Sequence, residues 1–328
     1  MAEAIAIYRL PSQEMVSGLR GQARSGYASG LQAECFYLQP WDSVSEPLFI
    51  SGESCSNPAE LREWVTRIRQ SPFPGAQCMD HGEFKQFVGM AVDCISQGEF
   101  QKVVTSRCKT EPGSTRLWES FEETCRRYPA AFVSLVHIPG IITWIGATPE
   151  VLLKGGNGSW STMALAGTLR TPDQNWTEKE RSEQAIITQF LNETLIASGA
   201  TGISISARET IQAGPVAHLL NLIEFRSEAT WHELTAKLHP TPAVSGYPIA
   251  AACNWIGNHE KLDRSFFSGW LGPVRGDRAD IFVNLRCAAI YSDARVYYAG
   301  CGINAQSDAE SEWLETEAKM QVIGSCLR

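Results

Sequence analysis

The residues most suited to chemistry are acidic and basic side chains that recur at helical spacing. Glu312, Glu315 and Lys319 occupy positions i, i+3 and i+7, so a helix places them on one face. They follow a Gly-x-Gly turn, Gly300 and Gly302, which ends an aromatic strand. Two carboxylates and an ammonium beside such a turn can hold a hard cation next to a carboxylate ligand. The same spacing also fits a solvated helix face with ordinary ion pairs.

A second carboxylate pair lies on a separate predicted helix, residues 178–197. Glu180 and Glu183 are spaced i and i+3 near its start. The positive end of the helix dipole explains acidic residues there without any ligand. A Mg²⁺ site, however, needs only one or two carboxylates together with substrate oxygens and water. The two helices therefore leave a magnesium site open as one interpretation.

Lys102 and Glu150 are candidates for a general base and a general acid. Lys102 alternates with Phe100 and Val104 along a predicted strand, so it shares a face with apolar side chains. Desolvation there lowers the pKa of a lysine toward neutral pH, whereas a lysine near a strand end can instead reach water. Glu150 follows Pro149 at a corner between strands. Apolar neighbours can raise the pKa of its carboxyl, and exposure in a turn is the alternative.

The elements that must position these residues are mostly strands. Helices are predicted at 60–68, 82–97, 118–128, 178–197, 230–237 and 250–259 from apolar periodicity and breakers. Strands outnumber them and are largely joined by hairpins, including 281–291 with 295–299. Residues 17–30 are predicted as a loop, and 238–248 as a rigid, proline-rich loop. This pattern predicts one α+β domain over residues 1–328, with helices packed on a large antiparallel sheet.

The composition excludes several classes of protein. A hydrophobic fraction of 44% and a charged fraction of 20% are typical of a soluble globular protein. The net charge of -8 argues against nucleic acid or an anionic membrane surface as the main partner. No apolar run approaches the roughly 20 residues of a membrane span, and the N-terminus does not resemble a signal peptide. The 10 scattered cysteines predict reduced thiols in a cytoplasmic protein rather than disulfides or a zinc site.

In this order, the segments resemble the chorismate-utilising enzymes, which include isochorismate synthase, anthranilate synthase component I, aminodeoxychorismate synthase and salicylate synthase. The resemblance covers about residues 82–325, its catalytic core, while residues 1–75 match poorly as a variable N-terminal part. It implies the chorismate-binding fold of anthranilate synthase component I. The motifs that carry it are Lys-Val-Val-x-Ser-Arg from Lys102, Ala-Thr-Pro-Glu from Ala147, Leu-Ala-Gly-Thr from Leu165, Lys-Glu-Arg-Ser-Glu from Lys179, His-Leu from His218, His-Pro-Thr-Pro-Ala-Val-Ser-Gly from His239, Asn-Leu-Arg-Cys-Ala from Asn284, Ala-Gly-x-Gly-Ile from Ala299 and Glu-Trp-x-Glu-Thr-x-x-Lys from Glu312.

The resemblance implies a Mg²⁺-dependent site for chorismate. Glu183 and Glu315 would coordinate Mg²⁺, which in turn holds the ring carboxylate of chorismate. Glu180 and Glu312 would complete the coordination directly or through water. The implied substrate contacts are Lys319 and the backbone at Gly300 and Gly302 for carboxylate oxygens, Arg286 for the enolpyruvyl carboxylate, and Gly167, Thr168 and His218 along the ring, with His218 near the departing hydroxyl or the enolpyruvyl group.

Within the family, the nucleophile and one loop residue separate the activities. The resemblance implies that Lys102 deprotonates a water that attacks C2 of chorismate, while Glu150 protonates the leaving C4 hydroxyl. Ammonia-using relatives and salicylate synthases generally carry Thr where this chain has Ala243. The implied activity is isochorismate synthase without a glutaminase subunit. A salicylate synthase and an inactive chorismate-binding paralogue are the alternatives.

Some features of the sequence leave details open. Cys301, Asn304 and Ser245 depart from the usual family residues, which leaves the placement of the pyruvyl group undecided. The sequence does not distinguish menaquinone, siderophore or salicylate synthesis as the downstream pathway, and menaquinone is expected. A monomer is expected from the branch that the chain resembles.

Overall fold

The computed structural model describes residues 3–28, 34–42, 44–169, 175–213 and 216–328. These residues form a sheet of 17 strands, which are β1 (Ala4–Arg9), β2 (Val16–Ser25), β3 (Glu34–Gln39), β4 (Leu48–Cys55), β5 (Lys102–Pro112), β6 (Phe132–Ile138), β7 (Ile142–Thr148), β8 (Val151–Gly156), β9 (Ser159–Leu169), β10 (Thr201–Ile205), β11 (Glu209–Ala213), β12 (Val216–Arg226), β13 (Gly246–Tyr247), β14 (Trp270–Arg275), β15 (Arg278–Val283), β16 (Cys287–Ile290) and β17 (Ala294–Ile303). The helices in the same ranges are α1 (Pro58–Thr66), α2 (His81–Ser96), α3 (Leu117–Arg127), α4 (Glu178–Ala197), α5 (Trp231–Leu238), α6 (Ile249–His259) and α7 (Ala309–Gly324).

The strand pairings between described residues are all antiparallel. They run in the order β12-β9-β8-β15-β14-β3-β4-β2-β1-β6-β7-β16-β17-β5-β13, with β10 and β11 also paired to β12. β6 and β15 are far apart in this order, yet the rings of Phe132 and Phe282 stack with centroids 4.1 Å apart. The sheet therefore folds back on itself around an apolar core, and the α+β prediction is confirmed.

The helices cover the outer faces of this sheet in separate groups. Apolar side chains of α4 and α5 pack on β8, β9 and β12, and those of α2 and α6 pack on β5 and β17. α1, α3 and α7 cover β1, β6 and β7. α4 and α7 thereby lie against β9 and β17, the strands that carry the predicted glycine motifs. None of the helices in the described ranges has both the length and the apolar character that crossing a bilayer requires.

Three predictions about the strands are wrong. The strand at 295–299 was expected to end in a turn at Gly300 and Gly302, but β17 continues through both glycines to Ile303. Residues 17–30 were expected to form a loop, but Val16–Ser25 form β2, which pairs with β1 and β4 along its length. The predicted strand 281–291 is interrupted between β15 and β16 at Asn284–Arg286. Arg286 has φ +50°, a left-handed conformation that does not continue a strand.

The expectation that the cysteines are all reduced also needs correction. The sulfurs of Cys78 and Cys108 lie at bonding distance, and their Cα atoms are 5.0 Å apart, within the range of disulfides. This bridge joins the segment before α2 to β5. The other described cysteines are free.

Candidate active site

A cleft of about 910 Å³, counted with its opening to solvent, collects the chemistry-bearing side chains. Its walls come from β5, β9, β12 and β17, from α4 and α7, and from the loop before β13. Every predicted site residue except Lys102 lines it; these are Glu150, Gly167, Thr168, Glu180, Glu183, His218, Ala243, Arg286, Gly300, Gly302, Glu312, Glu315 and Lys319. Lys102 is buried behind this lining and contacts it through Glu183.

A β-bulge brings His218 to the cleft. Ala217 pairs with Leu169 and Leu219 with Ala166, so His218 alone stands opposite two residues of β9, Gly167 and Thr168. Gly167 has φ +71°, and a Cβ there would lie 3.0 Å from the Cβ of Glu180. Only glycine satisfies both the backbone conformation and the close approach of α4.

The hydrogen bonds of His218 determine its tautomer. Arg286 Nη2 lies 2.9 Å from His218 Nε2, and because a guanidinium only donates, Nε2 accepts. Nδ1 therefore carries the proton and donates it to the Gly167 carbonyl at 2.6 Å. Burial, and secondarily the charge of Arg286, lowers the pKa of His218 to about 3. His218 is neutral at physiological pH, so it orients its neighbours rather than supplying protons.

Arg286 is a buried cation inside the cleft. Its left-handed backbone follows a turn fixed by Asn284, whose Nδ2 donates to Phe266 O at 2.7 Å and whose Oδ1 accepts from Trp144 Nε1 at 3.1 Å. Burial lowers its pKa to about 10, which still leaves the guanidinium charged at neutral pH. A buried, fixed guanidinium of this kind is well suited to bind a carboxylate.

Glu150 is a buried carboxyl at the corner between β7 and β8. It is 4% exposed, which excludes the alternative of a glutamate in an open turn. Its backbone N–H donates to Thr148 Oγ1 at 3.3 Å, and its carbonyl accepts from Val283 N at 3.0 Å. Desolvation raises the pKa of Glu150 to about 8, although Lys102, Arg286 and Lys319 act in the opposite direction. The group is therefore mostly protonated at pH 7 and can donate a proton.

Lys102 forms an ion pair that its sequence neighbours did not predict. Its side chain is 3% exposed, which excludes a lysine extending to water, and its Nζ lies 2.7 Å from Glu183 Oε1. Gly302 makes room for this pair, because a Cβ there would lie 2.6 Å from Glu183 Oε1 and 3.0 Å from Lys102 Cε. The pair joins β5 to α4 across the backbone of β17.

Glu315 and Lys319 form the equivalent ion pair on α7. Lys319 Nζ lies 2.6 Å from Glu315 Oε1 and also donates to the Gly300 carbonyl at 2.8 Å. Thr168 Oγ1 donates to Glu315 Oε1 at 3.4 Å, which connects α7 to β9. Glu312, one turn earlier, is 3% exposed. The helix face is therefore part of the cleft, and the alternative of a solvated acidic face is excluded.

The carboxylates of α4 and α7 are oxygen ligands of the kind a hard cation prefers, but they do not form a complete coordination shell. Glu180 accepts hydrogen bonds from the backbone and hydroxyl of Thr177, so it also caps the start of α4. Among the residues that the structure describes, no three His, Cys, Asp or Glu side chains converge as a ready metal site. Mg²⁺ is commonly held by one or two carboxylates together with substrate and water oxygens. An oxygen-only donor set on facing helices satisfies that requirement.

Sequence reasoning missed several residues that line the cleft. They include Val104, Leu165, Val244, Phe267, Ser268, Leu285 and Tyr298. Tyr298 could have been found, because strand alternation places it on the same face as Gly300 and Gly302. Phe267 and Ser268 carried no such signal, since they belong to an irregular segment before β14.

Comparison with known proteins identifies a family for this fold and cleft. The sequence profile described as chorismate binding enzyme matches residues 59–328. The chain is 30% identical over 339 residues to the vibriobactin-specific isochorismate synthase of Vibrio cholerae, covering 93% of this chain and 83% of the relative. It is 29% identical to the salicylate biosynthesis isochorismate synthase of Pseudomonas aeruginosa, covering 86% of this chain but only 63% of that protein.

A solved structure gives the same result for the fold. MenF, the menaquinone-specific isochorismate synthase of Escherichia coli, superposes with a TM-score of 0.82 at 20% identity, covering 99% of this chain and 89% of MenF. At this identity the likeness concerns the fold alone. It confirms the large antiparallel sheet layered with helices.

Proposed function

The chain belongs to the chorismate binding enzyme family, and on that premise we propose that it is an isochorismate synthase. The reaction is the reversible conversion of chorismate to isochorismate, in which water adds at C2 and the C4 hydroxyl leaves. One observation carries the proposal: Glu150, a buried carboxyl with a pKa raised to about 8, and two basic side chains, Arg286 and Lys319, line the same cleft. That combination suits a substrate with two carboxylates and a hydroxyl leaving group.

The cations recognise the substrate. Chorismate carries two negative charges, and a protein of net charge -8 binds it only with local positive charge. Arg286 binds the enolpyruvyl carboxylate, and its contact with His218 keeps the guanidinium in place. Lys319 binds carboxylate oxygens on the ring side, with the Gly300 carbonyl fixing its position. The ring lies along Gly167 and Thr168, next to the small side chain of Ala243.

The acid and the base divide the proton transfers between them. Glu150 donates its proton to the C4 oxygen, so that a neutral water leaves rather than hydroxide. Lys102 takes a proton from the water that attacks C2, and for this step it must be the neutral amine rather than the ammonium of the ion pair with Glu183. The proton balance closes, because one proton is gained from Glu150 and one is given to Lys102. The reverse reaction uses the same groups in exchanged roles.

Magnesium completes the proposed site. Glu183 and Glu315 would hold the ion, with Glu180 and Glu312 in support. When bound, Mg²⁺ supplies positive charge for the ring carboxylate and orients the ring. The choice of reaction stays with this chain's own Lys102, Glu150 and Ala243.

The test is a product analysis with purified protein. Incubation with chorismate and Mg²⁺, followed by chromatography, is expected to show isochorismate in equilibrium with chorismate and neither salicylate nor pyruvate. EDTA is expected to stop the conversion. Stoichiometric salicylate and pyruvate would instead assign a salicylate synthase, and anthranilate or aminodeoxychorismate on addition of ammonia would assign an amination. Unchanged chorismate under all conditions would leave an inactive paralogue.

A further inference from the structure

Arg264 is a buried cation that does not line the cleft, yet it holds two segments that do. It lies between α6 and β14 and is 2% exposed. Its Nη2 donates to the carbonyl of Val104 at 2.8 Å, and its Nη1 donates to the carbonyl of Val244 at 3.0 Å. Val104 and Val244 both line the cleft. One side chain thus bridges the strand of the proposed base and the loop of Ala243.

We propose that Arg264 is a positioning residue, which fixes β5 against the Ala243 loop and so sets the turnover rate. The inference rests on the proposed function for its kinetic consequence. Its structural part is that Arg264 holds the joint between β5 and the Ala243 loop, and this part stands on the contacts of Arg264 alone.

The guanidinium is itself fixed from two further directions. Glu260, at the end of α6, accepts from Arg264 Nε at 2.5 Å and from Nη2 at 2.8 Å. Glu260 Oε2 also accepts from the backbone N–H of Ser106 at 2.9 Å, so the carboxylate joins β5 as well. Trp41 stacks on the guanidinium, with the charged carbon 4.3 Å from its ring centroid. The plane of the guanidinium can therefore adopt only one orientation.

The joint that Arg264 bridges has few other bonds. β13 pairs with β5 only through Gly246 with Val103 and Tyr247 with Lys102. Two more backbone bonds flank this pairing, from Val104 N to Ser245 O at 2.9 Å and from Gln101 N to Tyr247 O at 2.8 Å. A displacement of about 1 Å in a reacting group can cost on the order of 100-fold in rate. Because Lys102 sits within this short pairing, loosening the joint moves the base relative to the opposite wall.

A third segment depends on the same residue. The carbonyl of Arg264 accepts from Phe267 N at 2.8 Å, and Phe267 and Ser268 line the cleft. Lysine keeps this backbone carbonyl but cannot replace the side-chain contacts, since its ammonium lacks the planar guanidinium that reaches two carbonyls and a carboxylate together. Buried ion pairs contribute little net stability, and their best-attested use is to fix one arrangement. Positioning is therefore the role that these contacts favour.

The test compares Arg264→Lys with the matched control Arg9→Lys. Arg9 is also buried, at 5% exposure, and donates to three backbone carbonyls, those of Cys125, Tyr128 and Ala131, none of which lines the cleft. Both variants are expected to lower the thermal midpoint by similar amounts. Only Arg264→Lys is expected to lower kcat, by about 10 to 100-fold, with KM for chorismate changed less than about threefold. Equal kcat in the two variants would overturn the proposal.

Hydrogen exchange supplies a readout that does not depend on activity. The amides of Val104 and Ser106 are expected to exchange at least about tenfold faster in Arg264→Lys than in wild type, and at wild-type rates in Arg9→Lys. Unchanged exchange at both amides would refute the positioning role. If wild type forms no isochorismate, the proposed function fails while this exchange result still decides the role of Arg264. If Arg264→Lys does not fold, Glu260→Gln replaces it, with the same expected changes.

Discussion

Glutamate side chains have opposite environments on two sides of the cleft, the corner between β7 and β8 and the helices α4 and α7. Glu150, at the corner of β7 and β8, is buried without an ion-pair partner among the described residues, and desolvation raises its pKa to about 8. Glu183 and Glu315, on α4 and α7, each lie within 2.7 Å of a lysine ammonium. Residue type is the same, but burial raises the pKa of Glu150, whereas Glu183 and Glu315 each form an ion pair with a lysine.

This difference shows how environment assigns roles. A carboxyl that keeps its proton at neutral pH can act as an acid, whereas carboxylates held beside ammonium groups can hold a cation or orient a base. The proposed mechanism therefore depends on the raised pKa of Glu150 and on the ion pairs of Glu183 and Glu315. Substitutions of Glu150, or of the residues in the two ion pairs, test this difference.

The largest effect is expected for Lys102→Ala, which removes the proposed base. Turnover should fall by about 10⁴-fold, because the proposed base for the attacking water is lost. Mg²⁺-dependent binding of chorismate should persist, since Glu183 stays in place. Steady-state kinetics and isothermal titration calorimetry measure the two effects. The control is Lys109→Ala on the same strand, which should keep wild-type turnover; full activity in Lys102→Ala would remove the base assignment.

Glu150→Gln is expected to be next in size. The amide keeps the shape of the side chain but cannot protonate the C4 oxygen, so kcat should fall by about 10³-fold. KM for chorismate should change little, because the carboxylate contacts of Arg286 and Lys319 are intact. A variant that retains more than about a tenth of wild-type kcat would show that the leaving hydroxyl obtains its proton elsewhere.

On α7, Glu315→Gln tests the proposed cation site. The Mg²⁺ concentration for half-maximal rate should rise by about 10 to 100-fold, because a neutral amide is a weaker ligand. Glu310→Gln on the same helix is the control, since Glu310 pairs with His81 and Lys85 outside the cleft. Equal Mg²⁺ dependence in the two variants would contradict the ligand role.

The smallest effect is on stability, and it has a definite sign. The unfolded state loses the Glu150 proton above about pH 4.5, while the folded state keeps it until about pH 8. The free energy of unfolding contributed by this group therefore falls as pH rises from 5 to 8, by on the order of 3 to 4 kcal/mol. Urea unfolding of wild type and Glu150→Gln at both pH values isolates this contribution. The same difference between the two proteins at both pH values would mean that Glu150 is ionised when folded.

Much of the fold was predictable from local pattern. α4 has the predicted bounds, because its apolar period and acidic first turn are features of the segment itself. β2 was not predictable, since Gly, Ser and charged residues dominate it and its strand conformation comes from pairing with the remote β1 and β4. The break at Asn284–Arg286 was missed because apolar neighbours on both sides suggested one continuous strand.

The candidate site was predictable as a set of residues but not as a set of contacts. Helical spacing brought Glu315 and Lys319 together correctly on one face. The ion pair of Lys102 with Glu183 joins a strand to a helix, so only the tertiary fold creates it. The roles of Arg264 and Asn284 were equally hidden, because each acts through backbone carbonyls of remote segments.

The central claim is that water, activated by Lys102, supplies the new hydroxyl at C2. Mass spectrometry of isochorismate formed in H₂¹⁸O, early in the reaction, tests it most directly. The account predicts one ¹⁸O atom in each isochorismate molecule, located at C2, and unlabelled chorismate before reversal sets in. Isochorismate without ¹⁸O would mean that the C4 hydroxyl migrates within the molecule, and it would contradict the proposed mechanism.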